Sequence, residues 1–275
     1  MLLFIDCSEG LGCPLHVNLT AGGQSKNITK KLTNLGRAFF AIAMAAFGIQ
    51  YFIHALAASV PALGPPWTPT PPFWGYVTAI ILVAAAAGIA TGTLTRCAAI
   101  SLGIMLLVRV LLAYVPRLAA NIHDPGPWTS GSELLALCGA ALVLAGAPKL
   151  GRILFAAPLV VFGVQHFLYA RFIATLVPAW IPGRLFWAYF VGVAFLCTAV
   201  SIAAQKMARL FAILLGLMFF LWVLIVHLPR VTATPHNGNE WTSLFVALAM
   251  SGGALLIAGS VKGGWTFYKA RASKR

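Results

Sequence analysis

From residue 36 onward the chain alternates long apolar runs with short polar breaks. The runs fall at 36–58, 73–93, 97–115, 131–147, 151–173, 185–204, 207–228 and 242–260. Each is close to the ~20 apolar residues that a helix needs to cross a hydrocarbon core of roughly 30 Å. Helix breakers separate them, among them Pro61 to Pro72, Gly92 to Thr95, Pro116 to Ser130, Pro178 to Gly183 and Pro229 to Glu240. The pattern predicts an all-α integral membrane protein with eight transmembrane helices.

The runs repeat. LGRAFF at 35–40 returns as LGRILF at 150–155, and FGIQYF at 47–52 as FGVQHF at 162–167, an offset of 115. From FWGY (73–76) and FWAY (186–189) onward the offset is 113. It pairs Arg96 with Arg209, Gly103 with Gly216, Pro116-Arg117 with Pro229-Arg230, His123 with His236, and Trp128-Thr129-Ser130 with Trp241-Thr242-Ser243. Each copy holds an even number of spans, so both enter the membrane in the same sense, as parallel rather than inverted repeats. The expected organisation is a leader at 1–34, one four-helix bundle at 35–147, a second, parallel-oriented four-helix bundle at 148–261 and a basic tail at 262–275. Small residues such as Ala84 to Gly88 and Gly252-Gly253 suit close helix contacts.

Composition agrees. Of 275 residues 60% are hydrophobic and 9% charged, too few charges to coat a water-facing surface of this size. The net charge of +14 would suggest nucleic acid in a soluble domain, but here it is sorted by side. Fourteen of the 19 Lys and Arg gather on one side of the predicted spans. That side is expected to face the cytoplasm of a multi-pass protein of the cell inner (plasma) membrane, with both termini there. Arg117, Arg171, Arg184 and Arg230 fall on the other side, where the loops are rich in Pro and Trp. Partners are thus the lipid bilayer and not nucleic acid. Arg37, Arg96, Arg152 and Arg209 are expected to meet lipid phosphates. Cys97, Cys138 and Cys197 lie in apolar stretches; Cys7 and Cys13 lack the spacing of a redox or zinc pair. Asn18 and Asn27 match the glycosylation pattern on the side expected to be cytoplasmic, where it would go unused.

The Leu-Gly-Arg opening, the Phe-Gly-x-Gln-[Tyr/His]-Phe of the first helix and the Trp before the last helix resemble the DoxX-like family of four-span membrane proteins. The resemblance covers about 35–147 and again 150–260, here as a tandem duplication of the unit. It implies association with thiosulfate:quinone oxidoreductase subunits and other membrane redox assemblies.

Polar residues inside spans carry a cost and call for a reason. At one end of the bundle stand Gln50, Tyr51, His54 and Tyr114 in the first copy, matched by Gln165, His166, Tyr169 and His227 in the second. They suit a pocket for a quinone head group or a similar planar ligand, or equally a set of interhelical hydrogen bonds. Haem is less suited, because only the second copy offers two histidines, His166 and His227, on separate helices. Arg109 and Glu133 are absent together from the second copy, where Trp222 and Val246 stand, which suggests a charge pair. His123 and His236 lack companions of metal-ligand spacing, so no metal site is expected. Phosphate loops, zinc-protease motifs, activated nucleophiles and Cys-x-x-Cys are missing. The expected role is a membrane subunit of a redox- or quinone-linked system rather than a stand-alone enzyme. An accessory or assembly subunit of a larger membrane complex is the alternative, and a small-solute carrier a third class.

Overall fold

The computed structural model describes residues 16–56 and 71–261, with side chains from residue 26 in the first stretch and 73 in the second. Cys7, Cys13, residues 57–70 with Trp67, and residues 262–275 lie outside the described residues, as does the side chain of Asn18. Among the described residues the fold is all helical. α1 (His16–Leu56), α2 (Pro71–Thr91) and α3 (Thr95–Arg109) are followed by a π-helical turn (Val110–Tyr114), a short α4 (Val115–Ala120) and α5 (Pro125–Leu144). The second copy runs α6 (Pro148–Leu168), short α7 (Ala170–Leu176), α8 (Arg184–Ala204), α9 (Ala208–Trp222), a π turn (Val223–His227), short α10 (Leu228–Ala233) and α11 (Gly238–Ser260). Among the described residues eight helical stretches are long and apolar enough to span a membrane, as the sequence predicts.

Lipid offers no hydrogen bonds to the backbone, so the described breaks between spans are made locally. Gly92 and Gly146 take positive φ at the turns after α2 and α5. The turn after α8 is made by non-glycine residues, Gln205 and Met207, both at φ 55°. α5 and α11 begin alike. The Asp124 carboxylate accepts from the Gly126 N–H at 2.9 Å, and the Asn237 amide oxygen from the Asn239 N–H at 3.0 Å. Behind each cap an indole closes the loop: Trp128 donates to the Ile122 carbonyl and Trp241 to the Pro235 carbonyl. His123 and His236 are exposed in these loops.

The two π turns are a matched pair and follow from Pro116 and Pro229. A proline in a helix offers no N–H and crowds the carbonyl four residues back. Here the ladder widens just before each ring, with Val115 N–H bonded to the Val110 carbonyl and Leu228 N–H to the Val223 carbonyl. The helix therefore continues through the proline instead of ending there.

The two units interlock. α1 packs along α2 and α11, and α6 along α8 and α5, so the first helix of each unit lies against the last helix of the other. α5 and α11 meet at the centre, and one continuous apolar core runs through both units. The exchange rests on two glycine crossings. A Cβ added at Gly36 would stand 2.8 Å from the Gly252 carbonyl oxygen; one at Gly151 would stand 2.5 Å from that of Gly139. Within each unit a small polar side chain ties the last helix to the third. Cys138 donates to the Gly103 carbonyl at 3.3 Å, and Ser251 to the Gly216 carbonyl at 2.8 Å. These pairs sit at the sequence repeat's own offset.

On the basic side the arginines reach helix ends. Arg37 donates to the Ile89 carbonyl at 2.7 Å, Arg152 to Ser260, and Arg209 to Ala258 and Val261. They satisfy carbonyls that a helix end leaves open. Arg209 also donates to Thr29, so the segment expected as a leader is, from His16, a continuation of α1.

Candidate functional site

The polar residues singled out in the sequence gather at the Pro- and Trp-rich end, and the structure divides them into two groups. The glutamines belong to the seam between units. Thr242 on α11 donates to the Gln50 side-chain oxygen on α1 at 3.4 Å, and Thr129 on α5 to that of Gln165 on α6 at 3.1 Å. Gln165 also donates to the Pro125 carbonyl at 3.2 Å. His54 lies along the same seam, its Nε2 3.5 Å from where a Cβ on Gly238 would stand. Tyr169, the counterpart of His54, ends α6 and is 38% exposed. The sequence repeat contains both halves of each Gln–Thr bond, since Gln and the Trp-Thr-Ser run recur in both copies, but not that each bond joins opposite copies.

An interhelical hydrogen bond in a membrane is worth about 0.6 kcal/mol on average. In a double-mutant cycle, Gln165→Leu and Thr129→Val are expected to show a coupling of about that size in thermal unfolding. Purely additive effects would mean that the bond contributes nothing.

The second group sits beside the π turns. In the first unit the Arg109 guanidinium lies over the Tyr51 ring, 4.9 Å from its centroid. Tyr114, at the end of the turn, stacks against Gly131 and takes Arg117 at 6.0 Å on its ring. A cation on an aromatic face keeps part of the stabilisation that water would give it. The expected ion pair with Glu133 is not formed. Arg109 and Glu133 make no salt bridge among the described residues, and Arg109 Nε is buried without a hydrogen-bond partner. In the second unit the ring under the guanidinium changes together with the cation: Tyr51 is replaced by His166 where Arg109 is replaced by Trp222.

In the second unit the same place is an aromatic cluster. His166 stands edge-on to Phe195 with centroids 5.2 Å apart, and its Nδ1 pairs with the Phe162 carbonyl at 2.8 Å. Trp222 packs on Phe195 at 6.1 Å and Phe219 at 5.2 Å. His227 closes the π turn, half-buried, with Nδ1 lacking a hydrogen-bond partner. Phe195 and Phe219 went unnoticed in the sequence, and Trp222 stood out only as the residue in place of Arg109, because an aromatic residue in an apolar run carries no mark of its own. No group of three His, Cys, Asp or Glu stands together among the described residues as a metal site would need. Two open recesses lie elsewhere, one beside Arg171 and Arg184 and one between α6 and α8.

The fold and these clusters define an internally duplicated, multi-pass membrane protein. Residues 32–115, reaching from α1 through the first π turn, match the DoxX family model. Residues 155–259 match a family described as a domain of unknown function (DUF8561). A search of curated proteins and of solved structures finds no match.

Proposed function

We propose that the protein is a redox-linked membrane subunit that holds a quinone-type head group beside a π turn. Besides Arg37 Nε on the basic side, the buried side-chain atoms without a hydrogen-bond partner among the described residues are Arg109 Nε and His227 Nδ1, and this pair carries the reading. One immediately precedes a π turn and the other closes the repeat-equivalent turn. Buried polar atoms without partners are rare, and a bound molecule is one standard reason for them. π turns recur at functional sites. A planar ring with carbonyl oxygens would stack on the neighbouring aromatic side chains, accept from Arg109 in the first unit, and exchange a hydrogen bond or proton with His227 in the second. Access is from lipid, past Leu111 and Leu112, which are 53% and 65% exposed. In this reading the basic side faces the cytoplasm of the plasma membrane, and redox subunits are the partners.

The second reading, an accessory subunit without a ligand, is favoured by the Gln–Thr bonds, which commit both glutamines to packing. Quinone extracted from protein purified out of native membranes separates the two. A fixed ratio of quinone to chain is expected, reduced in Arg109→Leu and His227→Phe and unchanged in Leu112→Ala. Protein free of quinone, or a ratio indifferent to both site substitutions, would establish the accessory role.

A further inference from the structure

The lipid-facing surface of the second unit carries a trough that the first unit has bridged. It runs between α6 and α8, has a volume of about 560 Å³, and is lined by Lys149 and Arg152 at the basic end. Ala157, Val160, Val200 and Ala203 line its apolar length, all of them exposed. The size falls within the roughly 300–1,000 Å³ of small-molecule sites. No carboxylate lines it. Lys149 is exposed and makes no hydrogen bond or ion pair among the described residues.

The difference between units has a local cause. In the first unit Arg37 crosses from α1 to α2 and donates to the Ile89 carbonyl at 2.7 Å, its NH2 resting 2.9 Å from where a Cβ on Gly92 would stand. In the second unit the position of Gly92 is taken by Gln205, in the left-handed conformation at φ 55°. That backbone is unfavourable for any side chain but glycine's. The Gln205 amide donates to the Ile202 carbonyl, the counterpart of Ile89. Arg152, counterpart of Arg37, turns away to the Ser260 carbonyl on α11 at 3.2 Å. The α6–α8 trough is left unbridged, with two cations at its mouth.

We propose that this trough is a binding site for one anionic glycerophospholipid, phosphate at Lys149 and Arg152 and an acyl chain along the alanine and valine wall. Charge selects the headgroup, because two basic residues without a facing carboxylate favour an anionic lipid over a zwitterionic one. The apolar wall selects a lipid over free phosphate.

Native mass spectrometry of the full chain in detergent tests this with phosphatidylglycerol and phosphatidylcholine of identical chains. The expected result is retained phosphatidylglycerol with about a five-fold preference, lowered by Lys149→Glu. Ala203→Trp, which fills the trough at an exposed position, is expected to remove it, while Ala90→Trp at the equivalent position of the first unit leaves it in place. Gln205→Gly is expected to lower retention without lowering the thermal midpoint, since it frees the Ile202 carbonyl for Arg152 and relieves the left-handed backbone. Equal retention of both lipids, equal losses in Ala203→Trp and Ala90→Trp, or displacement by millimolar inorganic phosphate would each overturn the proposal.

Discussion

Gly139→Ala is expected to cost the fold about 3 kcal/mol, the upper end of what overpacking does, and to show as a collapse in folded yield. The added Cβ would stand 2.6 Å from both the Gly151 carbonyl oxygen and the Phe155 nitrogen. Both are backbone atoms of α6, so no side chain can turn aside and α5 and α6 must separate. Phe155 and Leu159, fully buried behind the crossing, would lose contacts with them. Gly252→Ala is expected to act alike at the other crossing, where the nearest atoms are Phe40 N at 2.7 Å and Gly36 O at 2.8 Å. Gly103→Ala provides the contrast, because its nearest neighbours are side-chain atoms at 3.8 Å and alanine is the better helix former. Thermal unfolding in detergent compares the three; a wild-type midpoint for Gly139→Ala would show that the crossing is looser than described.

The second large effect concerns the chain cut between its units. Residues 1–147 expressed alone are expected not to yield a folded monomer, and neither are residues 148–275. Each half contains a first helix whose main last-helix neighbour is in the other half. Without it the glycine faces of α1 and α5 have nothing to close against, and in lipid the loss is one of packing rather than of hydrophobic burial. Co-expressed, the halves are expected to co-purify as a stoichiometric pair with close to the intact protein's thermal midpoint. A monodisperse, monomeric half with that midpoint would refute the interlocked arrangement.

The eight spans were legible because length and hydropathy alone decide them. Their ends were less so. The fourth span in the structure, α5, begins at Pro125 rather than 131, since Asp124 caps it and Pro125 needs no N–H in the first turn. Pro116 and Pro229 read as breakers, yet the widened turn before each carries the helix onward. The exchange between units was hidden for a deeper reason. A helix facing lipid on one side and apolar neighbours on the other has little amphipathic contrast, so its sequence does not name the neighbour. Among the candidate residues, the repeat singled out Tyr51, Tyr114, His166 and His227, which stand beside the two π turns or the side chains next to them. It misled on Arg109, whose partner is an aromatic face, because two charges that vanish together look like a pair whether or not they touch.

The interlocked arrangement has a consequence for how such a molecule can change. Were the two halves identical and separate, any substitution beside one π turn would appear beside the other as well. Joined in a single polypeptide, the halves have drifted apart under an unchanged backbone plan. The first unit holds the Arg109 guanidinium on Tyr51; the second holds the His166 imidazole against Phe195, which packs on Trp222. The two units therefore hold different chemistry at equivalent places beside their π turns, and a substitution at one need not be matched at the other.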